Sequence, residues 1–383
     1  MALARSGLIA LAAGESSGDL LASLVLPQLR RQRPNAQTAG IGGDRMIAAG
    51  FDAWWHVREL SVRGYAEVVR HLPRLLWLRA QLVRRVLAAP AQVFVGVDAP
   101  DFNLGVETRV RAQGVRTVHY VSPSIWAWRP QRIEKIRAAV DHMLLVFPFE
   151  AELYQKAGIK ATYIGHPLAS AITRAPDAAA ARARLQLPVA ATVVAVLPGS
   201  RAPEVEMLGP EFCAAITLLQ QHDRALHCVV PAADATLQAR LRTMLDTAGV
   251  DPERVLLTLD RSHDALEAAD AVLVAGGTAT LEAMLFLRPM VIAYRVPRLT
   301  EWLTLRQAII PYFGLPNILA GRFIAPEFLQ EAVRAPALAQ AVMHFLDTPA
   351  SVRQLSERFA ALADSMRRDT AALAAQAICD AMA

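Results

Sequence analysis

The chain has 383 residues, of which 54% are hydrophobic and 20% charged, with a formal net charge of +5 and a mean hydropathy of +0.27. That length exceeds one ordinary core and implies two domains, while the charge is too small and too localised to argue for nucleic acid; an anionic substrate or a membrane surface suits it equally. Three cysteines, Cys213, Cys228 and Cys379, show neither metal-ligand spacing nor a paired framework, which excludes a disulfide scaffold and points to reduced core residues of a cytosolic protein.

In chain order, short apolar runs alternate with helical patterns. The first run, Leu8 to Ala13, ends in Gly14-Glu15-Ser16-Ser17-Gly18-Asp19. Its glycines allow a tight turn, its serines are suited to cap a helix starting near Leu20, and its amides suit an anion. Glu15 and Asp19 make it a poor bare phosphate cradle, so contact with sugar hydroxyls or an acceptor is the better reading. Arg5 and the seven residues Gly7 to Ala13 resemble an export signal only faintly, because the glycine-serine stretch after them reads as a loop entering a helix. Thr38 to Gly42 is the next strand.

Arg63 to Arg85 holds six arginines against one acid, Glu67, interleaved with Val68, Val69, Leu72, Leu75, Leu76 and Trp77. After Pro73 this segment can form a basic amphipathic helix, either lying in a lipid headgroup region or turning its apolar stripe to the core. Val93 to Val97 then reads as a parallel strand buried on both faces, delivering Asp98 and Asp101 to its carboxyl end, where ligands collect in open α/β sheets. The plainer alternatives are that Asp101 caps a helix from Phe102 to Gln113 and that Asp98 is a turn residue before Pro100. Strands Thr117 to Val121, Met143 to Phe147 and Thr162 to Ile164 follow, and Trp54-Trp55 and Trp126-Ala127-Trp128 are candidates to line an apolar cleft or simply to fill the core.

An alanine-rich stretch, residues 169–190, marks the crossing to a second series of strands at Thr192 to Leu197, His227 to Val230, Val255 to Thr258, Ala271 to Val274 and Met290 to Tyr294. Within it, Leu197-Pro198-Gly199-Ser200-Arg201 can hold a diphosphate through a turn and one guanidinium, with Glu204 and Glu206 placed before a helix from Met207 to Gln221. Gly276-Gly277-Thr278-Ala279-Thr280-Leu281-Glu282 lets backbone amides approach phosphate and sets Glu282 one turn into a helix, suited to accept from both ribose hydroxyls. No Walker A sequence follows the first loop. Ala271 to Leu287 contains Glu282, so it is read as strand, loop and helix, and no membrane span is expected.

Strand and helix in alternation imply α/β architecture, with two Rossmann-like doubly wound domains facing a cleft. The expected divisions are 1–168, a linker 169–190, a nucleotide domain 191–348 and a helical segment 349–383 packing back on the first domain.

The succession GESSGD at 14–19, DAPDFN at 98–103, HYVSPSIWAWRPQRI at 119–133, PFE at 148–150, IGHPL at 164–168, LPGSR with EVEML, GTATLE at 277–282 and LPNILA at 315–320 resembles the lipid-A-disaccharide synthase family over nearly the whole chain. The resemblance implies an inverting glycosyltransferase of the glycosyltransferase B type. It would join the acylated glucosamine of UDP-2,3-diacylglucosamine to 2,3-diacylglucosamine 1-phosphate through a β-1,6 link, releasing UDP at the cytoplasmic face of the inner membrane. It implies Asp98 as base, with Glu15 the other catalytic candidate, and Ser17 and Asp19 as sugar or acceptor contacts. Ser200, Arg201, Gly277, Thr278, Glu282 and Asn317 would hold the nucleotide and diphosphate, and Val68, Val69, Leu72, Leu75, Leu76 and Trp77 would face acyl chains or membrane. No cofactor or metal and no nucleic acid is expected; a phospholipid surface is, and a homodimer is compatible with the chain. The family more often has serine where this chain has Gly276. Two rivals stay open on the residues: another UDP-sugar enzyme of the same architecture, such as a UDP-N-acetylglucosamine 2-epimerase, and a membrane-associated nucleotide-sugar binding module.

Overall fold

The computed structural model describes residues 7–60, 65–297 and 309–382, with the side chains of 65–71 outside the description. The chain divides into two compact units, one running to Ser170 and resuming at Met366, the other Ala171–Ser365.

The first unit is built on a parallel sheet of β1 (Leu8–Ala13), β2 (Gln37–Gly42), β3 (Asp52–His56), β4 (Ala91–Val97), β5 (Arg116–Tyr120), β6 (His142–Leu145) and β7 (Ala161–Tyr163), ordered β3-β2-β1-β4-β5-β6-β7. Its helices are α1 (Ser16–Gln32), α2 (Asp44–Ala48), α3 (Tyr65–Ala88), α4 (Pro100–Arg111), α5 (Arg132–Ala139), α6 (Glu150–Lys156) and α7 (Pro167–Ala171), the last reaching the unit boundary. The central strands are apolar without alternation because helices cover both faces, as parallel sheets require. The C-terminal helix Thr370–Ala381 returns to this unit and packs against α1.

The second unit repeats the design with β8 (Val193–Leu197), β9 (His227–Ala232), β10 (Val255–Leu259), β11 (Ala271–Ala275), β12 (Met290–Tyr294) and β13 (Glu327–Leu329), ordered β10-β9-β8-β11-β12-β13. Its helices include α8 (Ala178–Arg184), α9 (Ala202–His222), α10 (Ala235–Thr247), α11 (Ser262–Ala268) and α12 (Thr278–Leu285), followed by helices at Leu315–Ala320, Ala335–Asp347 and Pro349–Met366. In each sheet the winding reverses beside the first strand, between β1 and β4 and between β8 and β11. Both therefore have the doubly wound topology read from the sequence, with a crevice at the carboxyl ends of those strands.

Several local expectations are corrected. Helix α3 runs through Pro73 from Tyr65 rather than starting after it, and α9 begins at Ala202, so Glu204 lies in its first turn and Glu206 within it. Helix α4 starts at Pro100, a position where the missing N–H costs nothing, so Asp101 is a first-turn residue and not the cap. The serines of the first glycine loop lie inside α1, and Glu15 stands at its N-cap position without a side-chain bond. β3 and β13 were not legible as strands.

Helix α3 carries apolar residues on two faces. Leu78, Leu82, Val83 and Val86 are buried against Phe94, Phe102 and Val106, whereas Leu72, Leu76 and Trp77 are exposed, Trp77 by 57%. Leu75 is half-buried, and Val68 and Val69 lie among the undescribed side chains. Leu82→Ala should cost about 2–5 kcal/mol, since it leaves a cavity in a close-packed core, and Trp77→Ser within about 0.5 kcal/mol, both read from denaturant midpoints.

Candidate functional site

In the first unit, β1 and β4 are neighbours, so the residues after them meet. Asp98 and Ala99 both adopt left-handed backbone, φ 56° and 44°, a strained conformation for side chains with a Cβ. Gly14 permits the close approach of the two loops: a Cβ there would lie 1.9 Å from that of Ala99. Glu15 at the N-cap of α1 and Ser17 in its first turn are exposed and Asp98 is half-buried, so Glu15 and Asp98 follow the carboxyl ends of two adjacent central strands.

The strained turn is held from below. The Asp98 amide donates to Tyr120 O at 2.8 Å, and the fully buried Asn103 donates through Nδ2 to Asp98 O at 2.8 Å and to Ala12 O at 3.1 Å. One turn further along α4, buried Glu107 accepts from His119 Nδ1 at 2.7 Å and from the amide of Gly96. Burial raises the Glu107 pKa against the opposing pull of His119. Among the described residues, Asn103 Oδ1, Glu107 Oε2 and His119 Nε2 find no hydrogen-bond partner. Sequence reasoning gave Asn103 no role, although an asparagine just inside a helix after a carboxylate turn is a signal for such a brace.

One expected contact is reassigned. Asp19 is buried and its carboxylate accepts from the amides of Gly43, Arg45 and Met46 at 2.7–3.1 Å, so it caps α2 instead of meeting sugar. Asp101 is exposed and pairs with Arg132.

In the second unit a cavity of about 400 Å³ is lined by Gly199, Ser200, Arg201, Glu204, Asp260, Ser262, Gly276, Gly277, Thr278 and Glu282. It sits at the ends of β8, β10 and β11. Gly277, with φ 140°, precedes α12, and no atom lies within 4 Å of where its Cβ would stand, so the helix N-terminus is open to an anion. A Cβ on Gly276 would lie 2.9 Å from the Tyr294 ring, itself stacked on Phe313, which accounts for glycine at this position. Glu204 Oε2 accepts from the amides of Ser200 and Arg201 at 3.0 and 3.3 Å, and the Arg201 guanidinium lies 3.4 Å from Oε1. The α9 N-terminus thus already holds a carboxylate of its own chain. Glu282 is half-buried, 3.6 Å from His263.

Asn317 is buried and does not reach the cavity as expected. Its Nδ2 donates to Ala325 O and Glu327 Oε1, and its Oδ1 accepts from the amides of Ile324 and Ala325. It fixes the Leu315–Ala320 helix, whose first amide donates to Thr280 Oγ1, and Thr280 in turn donates to Gly277 O. Asn317 supports the Gly277 loop indirectly, through that helix and Thr280.

Back in the first unit, after β5 and β6, Trp126 Nε1 and the Phe147 amide donate to buried Glu150 at 3.1 and 3.0 Å beneath a cluster of Trp126, Phe147, Phe149 and His166.

Among the described residues no group of acidic, histidine and cysteine side chains is arranged to hold a metal ion, and no helix is long and apolar enough to cross a membrane. A family profile described as lipid-A-disaccharide synthetase matches residues 9–378. A lipid-A-disaccharide synthase of Burkholderia mallei (strain SAVP1) is 49% identical over 372 residues, covering 97% of this chain and 95% of that one. Among solved structures, the glycotransferase of kitacinnamycin superposes with a TM-score of 0.63 at 15% identity, over 98% of this chain and 99% of that one. The UDP-GlcNAc 2-epimerase of Neisseria meningitidis bound to UDP-GlcNAc gives 0.60 at 9%, over 97% and 98%. The two structural likenesses share the fold.

Burial pushes the Glu150 pKa up to about 7 from 4.5, against the hydrogen bonds that favour its charged form. Its contribution to stability is fully present below 4.5 and is lost as pH rises through about 7, a change of about 3 kcal/mol at most. His142 and His166, lowered to about 4 by burial, act oppositely: their contribution is lost as pH falls through that value. The stability of wild type relative to Glu150→Gln should therefore fall between pH 4.5 and 7 in chemical denaturation, because the variant removes one titration and keeps the histidines.

Proposed function

The chain belongs to the lipid-A-disaccharide synthase family, glycosyltransferases of lipid A biosynthesis, and from that premise we propose that it transfers 2,3-diacylglucosamine from UDP-2,3-diacylglucosamine to 2,3-diacylglucosamine 1-phosphate with inversion. The observation that carries this reading is Asp98 on its braced left-handed turn at the carboxyl end of β4, a carboxylate that makes no side-chain hydrogen bond or ion pair among the described residues. In the transfer, Asp98 takes the proton of the acceptor 6-hydroxyl as its oxygen bonds the anomeric carbon, and the bond from that carbon to the diphosphate breaks on the opposite face. The electron pair leaves with UDP.

Charge growing on the diphosphate meets the amides of Gly277 and Thr278 at the start of α12, together with Ser200 and Arg201. Arg201 exchanges Glu204 for phosphate oxygens as the donor enters. Glu282 accepts from the ribose hydroxyls, and Glu15 with Ser17 orients a sugar. Asn317 serves the nucleotide through Thr280 and Gly277. Asp19 serves by fixing the start of α2.

The acyl chains bring the substrates to a lipid surface, and Leu72, Leu76 and Trp77 form an exposed apolar edge suited to it. The basic character of this segment contributes less than composition implies. Arg74 pairs with Glu59, Arg79 donates to Asp101 O and lies over Phe102, and Arg85 lies over Trp54. We place the protein on the cytoplasmic side of the inner membrane through that apolar edge.

Incubating the purified protein with both lipid substrates should give equal amounts of UDP and a disaccharide 1-phosphate, read by mass spectrometry. UDP release without the acylated acceptor would sink the reading in favour of another UDP-sugar reaction. Asp98→Ala should lose on the order of 100-fold or more in turnover with folding intact, while Arg201→Ala should weaken UDP binding about tenfold. Retained activity in Asp98→Ala would move the base to Glu15. Leu76→Glu with Trp77→Glu should lower binding to phospholipid vesicles in sedimentation while leaving the melting temperature nearly unchanged, because both side chains already face water.

A further inference from the structure

His263 stands in the first turn of α11, beside Asp260 and Ser262, which line the nucleotide cavity. Its Nε2 lies 3.6 Å from Glu282 Oε2, with side-chain exposures of 53% and 20%. This is the only ion pair Glu282 makes among the described residues. The edge of the Phe286 ring, 5.4 Å away between centroids, braces the imidazole from α12. The Glu282 carboxylate facing it raises the His263 pKa above its ordinary value, reinforced by the charges of Asp264 and Asp260 and opposed by burial. Arg261 on its own segment and Arg184 from α8 both pair with Asp264, and Arg184 also pairs with Glu267 of α11.

We propose that His263 is a positioning residue whose imidazolium clamps one oxygen of Glu282 and so makes the cavity select a ribose over a 2′-deoxyribose nucleotide in a pH-dependent way. The inference rests on the reading of Glu282 as the ribose acceptor. A carboxylate has about four acceptor positions on its two oxygens, so one contact to His263 leaves room for both vicinal hydroxyls while fixing the plane of the group. Without the clamp, a half-exposed glutamate must be ordered by the ligand itself, and part of each ribose hydrogen bond is spent on that ordering. As pH rises through the raised pKa, the imidazole loses its charge and the clamp weakens.

The test is calorimetric titration of the intact protein with UDP and with 2′-deoxy-UDP, comparing wild type, His263→Ala, His263→Gln and Glu282→Gln. Both ligands carry the same diphosphate, so the ratio of their affinities cancels phosphate ionisation and isolates the ribose contact. Wild type should prefer UDP about tenfold near pH 6, as expected for a hydroxyl bonded to a charged group, and the preference should narrow towards about pH 8.5. His263→Ala and His263→Gln should lower it to about threefold and remove its pH dependence, with 2′-deoxy-UDP affinity little changed. Glu282→Gln should abolish most of the preference. If wild type shows no preference, the ribose reading of Glu282 fails and the clamp with it. If wild type and Glu282→Gln behave as expected but the His263 variants keep the full, pH-dependent preference, the clamp alone is overturned.

Discussion

The constraint on which the rest depends is the reversal of winding in each parallel sheet. Crossovers are right-handed, so strands added on either side of β1, or of β8, send their helices to opposite faces. At the reversal, between β1 and β4 and between β8 and β11, the loops diverge and leave the carboxyl ends open. What differs between the units is the chemistry delivered there. In the first, β1 and β4 end in Glu15 and Asp98, two carboxylates suited to proton transfer and sugar contact. In the second, β8 and β11 end in glycine turns that expose amides and one guanidinium, suited to a diphosphate. On the proposed reading one topology serves acceptor activation and leaving-group stabilisation, and the loop sequences distinguish them.

Presenting Asp98 has a structural cost. Two successive non-glycine residues in left-handed backbone are unfavourable by on the order of 1–3 kcal/mol each. The offset comes from buried partners: Asn103 bonds the carbonyls on both sides of the crevice, and Glu107 with His119 secures Gly96 one turn below. That this pocket also holds three buried polar atoms without partners fits a region selected for its geometry above its stability. Gly14 completes the arrangement from the other side.

Much of the fold was legible because central parallel strands are apolar runs bounded by glycine turns, as at Leu8–Ala13 and Ala271–Ala275. The edge strands were not. Asp52–His56 is half-exposed and irregular in register against β2, and Glu327–Leu329 has only three residues, so neither has the run or the alternation that marks a strand. What was legible of the candidate site is the grouping: Arg201, Gly277 and Glu282, read from two separate loops, line one cavity, and Asp98 follows the strand beside the one that leads to Glu15. Residue type misled where a polar residue beside a glycine loop serves the backbone. Asp19 and Asn317 have the composition of ligand contacts, but their partners are backbone groups beyond their own helices, which no local pattern reveals. His263 escaped for the same reason, since its partner Glu282 lies on another helix.

The second unit also shows how an anion site is kept stable when no donor occupies it. The first amides of a helix have no partners within it, and exposed at a cavity they attract whatever negative charge is near. Glu204 supplies that charge from within α9, binding the amides of Ser200 and Arg201 and drawing the guanidinium towards itself. On the proposed reading a diphosphate would compete with this internal carboxylate at α9, whereas among the described residues nothing fills the space beside Gly277 at the start of α12. On that reading Glu204 sets how much of the arginine's charge a donor can draw on, since each interaction it keeps with Arg201 is one a diphosphate must replace.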